Sequence, residues 1–136
     1  MSWTSTHGVA VIAEDPNSFT VQPRAGYAVV SPVSAGTLEG KFHFTLPRPP
    51  AGYNNATNIS IEFTSQLATV DEYHVYFGNK EKSSDTNLGW TNSQSQALAS
   101  SVALSGSNAG IDVIVKIVFA NQSSSINLWS IGLQYA

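Results

Sequence analysis

The sequence predicts an all-β fold of about eight to nine strands: an antiparallel two-sheet sandwich, jelly-roll-like, with a closed barrel as the alternative. Apolar and polar residues alternate at every second position along much of the chain, whereas a convincing helical period does not recur. Clusters of Gly, Pro, Asn and Ser separate the alternating segments, as turns between short strands require. The 136 residues fit one domain, residues 1–136, and their 42% hydrophobic content is enough for a core.

The C-terminal part of the chain holds the clearest strands. Residues 111–119 read "IDVIVKIVF", and their odd-numbered side chains form a continuous apolar row. After the turn-rich "NQSSS", residues 126–135 read "INLWSIGLQY", which places Trp129 in one apolar row with Leu133 and Tyr135. We predict that these two strands pair as an antiparallel hairpin.

The rest of the chain supplies shorter strand candidates. In chain order they are "GVAVIA", "SFTVQ", "GYAVVS", "KFHFTL", "NISIEFT" and "EYHVYFG". The segment "QALASSVALS" (96–105) is a weaker candidate, because its Ala and Leu residues also suit a short helix. The segment "SGSNAG" (105–110) then predicts a turn before residue 111.

Charge and cysteine content narrow the function. Only 11% of residues are charged, the net charge is −3, and the six basic residues are scattered. Nucleic-acid binding depends on clustered cations that neutralise phosphates, so neither nucleic acid nor an anionic membrane is a predicted partner. The absence of cysteine excludes disulfides, thiol nucleophiles and zinc–thiolate sites.

The N-terminal stretch "MSWTSTHGVAVIAEDP" has neither a basic leader nor a long apolar run, so no secretory signal peptide is predicted. No segment approaches the roughly 20 apolar residues that cross a bilayer, so no membrane insertion is predicted. The sequence therefore indicates a soluble protein made in the cytoplasm, with export by a signal-independent route as the alternative.

Two histidines lie inside strand candidates. Alternation places His43 on the strand face opposite to that of Phe42 and Phe44. It likewise places His74 on the face opposite to that of its neighbours Tyr73, Val75 and Phe77, so both imidazoles face away from the predicted core. Together with His7 they would supply the three imidazoles of a zinc site. The favoured interpretation is that each imidazole packs on a tyrosine or hydrogen-bonds a cross-strand hydroxyl, because no local HxH or HExxH spacing supports metal binding.

No residue pattern predicts catalysis, and no catalytic residue is assigned. The chain has no Gly-x-Ser-x-Gly elbow for a serine nucleophile and no phosphate-binding glycine loop. Nothing singles out a pair of carboxylates for glycosidase chemistry. Asp85 and Asn87 offer oxygen ligands for a weak calcium site, but they lack the ligand spacing of a calcium-binding loop. We therefore predict no cofactor, with calcium or zinc as lower-ranked alternatives.

Two long connections carry the predicted binding residues. Residues 47–58 and 78–96 are polar, and connections of more than about a dozen residues are often functional. Each contains an aromatic ring next to amides, which suits sugars, because a ring can stack on a sugar face while amides bond its hydroxyls. The predicted ligand-binding residues are Tyr53, Asn54, Asn55, Asp85, Asn87, Trp90 and Asn92.

Three classes of function fit these features. The leading prediction is a non-catalytic, lectin-like module that binds a glycan or a similar neutral polar ligand. The main alternative is a self-assembling structural protein, a homo-oligomer, because a long apolar strand such as 111–119 must be covered or paired somewhere. A metal-dependent hydrolase that uses the histidines ranks third.

Three short segments also carry a resemblance to a known group of proteins. They are "SWT..HGVAV" near the start, "KFHFTLPRP" and "YHVYFGN". With them the chain resembles a family of small uncharacterised microbial proteins that share a Ser-Trp-Thr-His-Gly-like stretch, a Phe-His-x-x-x-Pro-x-Pro segment and a His-Val-Tyr-x-Gly segment. This chain departs from the pattern by extra residues between Trp3 and His7.

The resemblance covers the N-terminal part of the chain, up to the "YHVYFGN" segment. It implies a compact β-sandwich, and it links His7, His43 and His74 in one shared pattern. Since no activity is established for the family, it implies no particular chemistry.

Overall fold

A computed structural model describes residues 2–49, 51–103 and 110–136. Within these ranges the chain forms eleven β-strands and one 3₁₀ turn at Gly8–Ala10. The strands are β1 (Ser2–His7), β2 (Ile12–Ala13), β3 (Phe19–Arg24), β4 (Tyr27–Pro32), β5 (Glu39–Leu46), β6 (Asn55–Gln66), β7 (Ala68–Phe77), β8 (Lys80–Asp85), β9 (Asn92–Ala103), β10 (Ile111–Phe119) and β11 (Ser125–Tyr135).

The strands form two antiparallel sheets that pack face to face. The six-stranded sheet has the order β3-β4-β11-β6-β9, and β1 also pairs with β11. The five-stranded sheet has the order β2-β5-β10-β7-β8. The predicted all-β, antiparallel two-sheet sandwich is therefore confirmed. No helix in the described part of the chain is long and apolar enough to cross a membrane.

The core lies between the two inner faces, and alternation selects its residues. In β5, Phe42 and Phe44 are buried, whereas His43 between them is partly exposed. Every odd-numbered residue of β10 is likewise buried. Successive side chains of a strand point to opposite faces, so one apolar row per strand is enough to build this core. Phe19 of the opposite sheet packs edge-on against Phe42, with ring centroids 5.1 Å apart.

The predicted hairpin between residues 111–119 and 126–135 is wrong. β10 lies in the five-stranded sheet between β5 and β7, whereas β11 lies in the six-stranded sheet. The connection between them crosses from one sheet to the other, and the Ser124 Oγ accepts a hydrogen bond from the Asn121 N–H at 3.1 Å within it. Alternation predicts which side chains are buried but not which strand is the neighbour, so a short connection suits either arrangement.

The sequence does not predict β1 or β8. They read "SWTSTH" and "KEKSSD", and neither has the apolar alternation that marks a half-buried strand. The candidate "GVAVIA" is only partly a strand, because it forms the 3₁₀ turn and then the short β2. The weaker candidate "QALASSVALS" is a strand rather than a helix as far as Ala103, within β9. The turn predicted over residues 105–110 lies outside the described residues except for Gly110.

The long apolar strand β10 is covered within the chain. It has a hydrogen-bonded neighbour on each side, and its odd-numbered side chains lie in the core. An uncovered β10 is therefore not a reason for self-assembly, and the homo-oligomer stays a prediction.

The sandwich is closed along one side by contacts between β8 and β9, which belong to different sheets. The Ser100 N–H donates to Ser83 Oγ, and the Ser100 hydroxyl donates to the Lys82 carbonyl, both at 3.3 Å. The Ala99 N–H donates to the Tyr73 hydroxyl at 2.7 Å. These bonds occupy backbone groups of β9 that an edge strand would otherwise expose.

β11 contains a bulge at Trp129. Its neighbours Leu128 and Ser130 pair with consecutive residues of β6, which leaves Trp129 without a partner there. The extra residue interrupts the alternation, so Trp129 is exposed although Leu133 and Tyr135 are buried. The prediction that Trp129 lies in one apolar row with Leu133 and Tyr135 is therefore wrong.

Gly8→Ala is expected to destabilise the protein, because a Cβ at Gly8 would lie 1.8 Å from the Leu128 carbonyl oxygen. Backbone would have to move, and overpacking of this kind costs about 1–3 kcal/mol or more. Urea denaturation measures the loss in the free energy of unfolding. Gly110→Ala is the matched control: its Cβ meets no atom of the described residues within 4 Å, so its free energy of unfolding should change by less than about 0.5 kcal/mol. Equal unfolding midpoints for the two variants would contradict the close packing of the 3₁₀ turn on β11.

Candidate ligand-binding surface

Two tryptophans are exposed on the outer face of the six-stranded sheet. Trp3 lies on β1 and is 43% exposed, and Trp129 lies at the β11 bulge and is 38% exposed. β1 and β11 are adjacent strands, and Trp3 pairs with Gln134 of β11. Covering a large apolar ring with a ligand removes apolar surface from water, which favours binding. Two exposed rings on one sheet face therefore mark a candidate binding surface.

A shallow groove, the serine groove, lies beside Trp3. It has a volume of about 250 Å³ and is lined by Trp3, Ser5, Ser60, Glu62, Ser130 and Gly132. A Cβ at Gly132 would lie 2.8 Å from the Thr4 carbonyl oxygen, so the close approach of β1 to β11 requires glycine there. The groove therefore presents hydroxyls and one carboxylate beside an aromatic wall.

Trp129 lies where β11 exchanges one neighbouring strand for another. β4 pairs with β11 as far as Leu128, and β1 pairs with it from Ser130 onward. The Trp129 ring packs on Tyr27, the first residue of β4, with ring centroids 4.8 Å apart and an angle of 36° between the planes. A ring that is already held by a second ring loses less conformational entropy when a ligand binds.

The groove carries little charge. Glu62 is its only charged side chain, and none of the residues that line it is a cation. On β3 of the same sheet, Arg24 donates to Gln22 Oε1 at 2.9 Å and to the Pro23 carbonyl at 3.3 Å. The arrangement suits a neutral polar ligand, which needs hydrogen-bonding groups and an apolar surface rather than a counter-charge.

Trp90, the aromatic residue of the predicted loop 78–96, is half-buried. Its backbone exchanges two hydrogen bonds of 2.9 Å with Val70, and its ring stacks on Tyr73 with centroids 6.2 Å apart. The ring also packs against the core. The connection is shorter than the sequence predicts, because it contains β8 and leaves only residues 86–91 between β8 and β9. Trp90 therefore holds this connection against β7 through its backbone hydrogen bonds and its ring contact.

The polar residues near Trp90 are exposed, and two of them have local partners. Asp85 Oδ1 accepts a hydrogen bond from the Thr86 N–H at 2.9 Å, and Asn92 Oδ1 accepts one from Gln94 Nε2 at 3.0 Å. Asn87 has a φ of 56°, a left-handed conformation that asparagine adopts more easily than most residues. These groups shape the turn between β8 and β9.

The structure separates the predicted loop residues into two groups. Tyr53 is half-buried against the core, and the N–H groups of Asn54 and Asn55 donate to the carbonyl that follows β11. Asn55 begins β6, whereas Asn92 pairs with Thr64 near the other end of β6. Positions 55 and 64 are about 30 Å apart along a strand, so the two groups do not form one site.

His43 and His74 lie on the outer face of the five-stranded sheet, where both pair with Ile114 of β10. The prediction that both imidazoles face away from the core is confirmed. His43 Nδ1 is 2.8 Å from Asp112 Oδ2, and its Nε2 is 3.1 Å from Glu14 Oε1. Burial opposes a positive charge on His43, but the two carboxylates outweigh it and raise the pKa of His43 above its usual 6.5.

His74 also lies between two carboxylates. Its Nε2 is 2.9 Å from Glu72 Oε1, and its Nδ1 contacts Glu81 Oε1. The hydrogen bond from His74 holds the pKa of Glu72 below its usual range; burial opposes this effect and Lys116 reinforces it. Burial lowers the pKa of Lys116, but Glu72 and Glu39, both within 4 Å of its Nζ, outweigh burial and raise that pKa. This face thus carries a connected network of imidazoles, carboxylates and Lys116.

The structure does not bring the three histidines together. His7 lies on β1 of the other sheet, where its Nδ1 accepts a hydrogen bond from the Val9 N–H at 3.2 Å. In His43 and in His74, one carboxylate contacts Nδ1 and a second carboxylate contacts Nε2, so both nitrogens of each ring already have a partner. In the part of the chain that the structure describes, no group of three His, Cys, Asp or Glu side chains is placed to hold a metal ion.

Sequence reasoning missed Trp3, Trp129 and Glu62 as candidates. A partial signal for Trp3 was available, because Trp3 and Ser5 are two positions apart and therefore share one face of an extended segment. Alternation placed Trp129 in one apolar row with Leu133 and Tyr135, since no local pattern reveals a bulge. Glu62 became a candidate only when β11 and β1 were seen beside it.

No protein-family model and no curated protein sequence matches the chain. Among solved structures it is similar to CBM86, a low-affinity xylan-binding module from Roseburia intestinalis, with a TM-score of 0.60 and 11% identity over 100% of this chain and 97% of that one. It is also similar to the C-terminal CBM6 of LamC, a marine laminarinase from Zobellia galactanivorans, with a TM-score of 0.55 and 11% identity over 98% of this chain and 99% of that one.

A third similar structure is an enzyme. This is a cyclase from Fischerella sp. TAU, with a TM-score of 0.57 and 12% identity over 98% of this chain and 89% of that one. At these identities the similarity shows the fold alone. Because carbohydrate-binding modules and a cyclase share this β-sandwich, the function must be argued from the surface residues of this chain.

The stability of the protein is expected to depend on the protonation of His43. Because folding raises the pKa of His43, its contribution is fully present below pH 6.5 and is lost as the pH rises through the folded pKa. As the pH rises from 6.5 through the folded pKa of His43, we expect the free energy of unfolding, measured in urea, to fall in the wild type. It should fall less in His43→Gln. His7→Gln removes an imidazole from the other sheet and should keep the wild-type slope. Identical slopes for the wild type and His43→Gln would contradict the role of this imidazole.

Proposed function

We propose that this chain is a non-catalytic carbohydrate-binding module, which binds a neutral glycan on the outer face of the six-stranded sheet. The observation that carries the proposal is the pair of exposed tryptophans, Trp3 and Trp129, next to the serine groove. The similarity of the fold to two carbohydrate-binding modules supports it.

The chemistry of the groove suits a sugar. A pyranose ring has an apolar face of C–H groups and a rim of hydroxyls, so it needs a flat apolar surface and nearby hydrogen-bonding groups. Trp3 forms a wall of the groove, and a sugar stacked on it would place its hydroxyls near Ser5, Ser60 and Ser130. Each sugar hydroxyl that leaves water there finds a replacement partner, which avoids the cost of an unmade hydrogen bond.

The groove lacks the pair of acids that glycoside hydrolysis uses. Such enzymes place two carboxyl groups on either side of the bond that breaks, and Glu62 is the only acid that lines the groove. The carboxylates of Glu14, Glu72 and Glu81 lie on the other sheet and contact histidines. Stacking and hydroxyl contacts need no metal or other cofactor, so we propose none.

Trp3→Ala and Trp129→Ala are each expected to weaken glycan binding by about tenfold, because a lost aromatic contact costs about 1.4 kcal/mol. The double variant should lose retention entirely. Affinity electrophoresis in gels that contain xylan, laminarin or glucomannan measures the effect, and circular dichroism checks that each variant folds. Ile12→Ala is the control for an exposed apolar side chain: Ile12 is 63% exposed on the other sheet, and its loss should not change retention.

Trp90→Phe distinguishes this surface from the loop that the sequence predicts. It keeps an aromatic ring against Tyr73, so the fold should be preserved and binding unchanged. Loss of retention in Trp90→Phe, with Trp3→Ala and Trp129→Ala unaffected, would assign binding to the loop instead. A chelator should leave retention unchanged, and failure of the wild type to bind any glycan would contradict the proposed function.

A further inference from the structure

We infer that the ligand is an uncharged glycan chain of several sugar units that lies along β11, from Trp3 past the serine groove to Trp129. This inference rests on the proposed function. It adds the length, the direction and the charge class of the ligand.

Trp3 and Trp129 are too far apart for one sugar ring to contact both. Trp3 pairs with Gln134, and Gln134 and Trp129 are five positions apart on β11. At a rise of about 3.3–3.4 Å per residue, this separation is about 17 Å along the strand. A ligand that uses both tryptophans is therefore a chain, with one sugar on each ring and further sugars between them.

Small residues of β11 line the path between the two rings, and the exposed His7 of β1, which pairs with Ser130, flanks it. Gly132 and Ser130 occupy the intervening outward positions of β11, and Ser5 pairs with Gly132 from the adjacent strand. Glycine and serine leave the backbone nearly uncovered, so a chain can lie close to the sheet. The bulge then turns Trp129 outward at the end of this path.

A second path crosses the strands instead of following β11. Ser5, Gly132, Ser60 and Ser95 are paired in one row across β1, β11, β6 and β9. This row leads away from Trp129, and β9 has no aromatic residue. The direction along β11 is favoured because it ends on a second ring.

Glu62 defines the charge class of the ligand. No residue in the described part of the chain bonds or pairs with its carboxylate, so both oxygens are available to sugar hydroxyls. A hydrogen bond to an ionised acceptor is stronger than one between neutral groups. The same negative charge repels uronate and sulfate groups, and none of the groove-lining residues is a cation that would offset the repulsion.

Chain length is tested by isothermal titration calorimetry with oligosaccharides, from disaccharide to hexasaccharide, of the neutral polysaccharide that retards the wild type most. Affinity should rise by about tenfold or more with length and then level off once both tryptophans are covered. Trp129→Ala should bind the shortest oligosaccharides as the wild type does and should lose the gain from the longest. Equal affinity for all lengths, or no effect of Trp129→Ala on the hexasaccharide, would overturn the inference.

Ligand charge is tested by electrophoresis in gels that contain polygalacturonate or a neutral polysaccharide. Only the neutral gel should retard the wild type. Glu62→Gln should weaken neutral binding by about fivefold, because a charged acceptor is replaced by a neutral one. Glu39→Gln removes a carboxylate from the outer face of the other sheet and should have no effect. Retardation in polygalacturonate equal to that in the neutral gel would overturn the inference.

The outcomes separate the inference from the proposed function on which it rests. Binding that needs Trp3 but is independent of length, or that extends to polygalacturonate, would overturn the inference and leave the proposed function intact. Absence of binding to every glycan would overturn both.

Discussion

Burial of one row of side chains on β10 and one row on β11 holds the two sheets together. Each strand has hydrogen-bonded neighbours on both sides, so its backbone N–H and C=O groups are paired. Its apolar row can therefore lie in the core without burying unpaired backbone groups. The opposite row of each strand is then left for the surface. The surface chemistry of the protein is therefore determined by which residues occupy the outer rows of these strands and their neighbours.

The β11 bulge breaks this division at Trp129. Without it, the large ring of Trp129 would lie in the row that contains Leu133 and Tyr135, both of which are buried. With the bulge, the ring lies on the outer face of the sheet and packs on Tyr27. At this point along β11 the neighbouring strand changes from β4 to β1. Bulges commonly redirect a side chain in this way.

The two outer faces differ in how far their polar groups are paired with other protein groups. On the five-stranded sheet, the imidazoles contact carboxylates and Lys116 pairs with Glu72, so these groups are occupied by each other. On the six-stranded sheet, the serine groove has hydroxyls and a single carboxylate, Glu62. Groups without protein partners are the ones that a ligand can engage without first breaking an existing contact.

The sequence by itself determined the fold class, the inward row of most strands and the outward facing of His43 and His74, because side-chain alternation is a local property of the backbone. It did not determine that β10 and β11 lie in different sheets, nor that β1 is a strand, because these arrangements depend on residues distant in the chain. It missed β8, which pairs with the adjacent β7, because β8 lacks apolar alternation. It also named Trp90 and Tyr53 for binding, whereas packing against the core leaves both half-buried. Only the tertiary structure brought Trp3, Glu62 and Trp129 to one face, since a bulge and a neighbouring strand have no local signature.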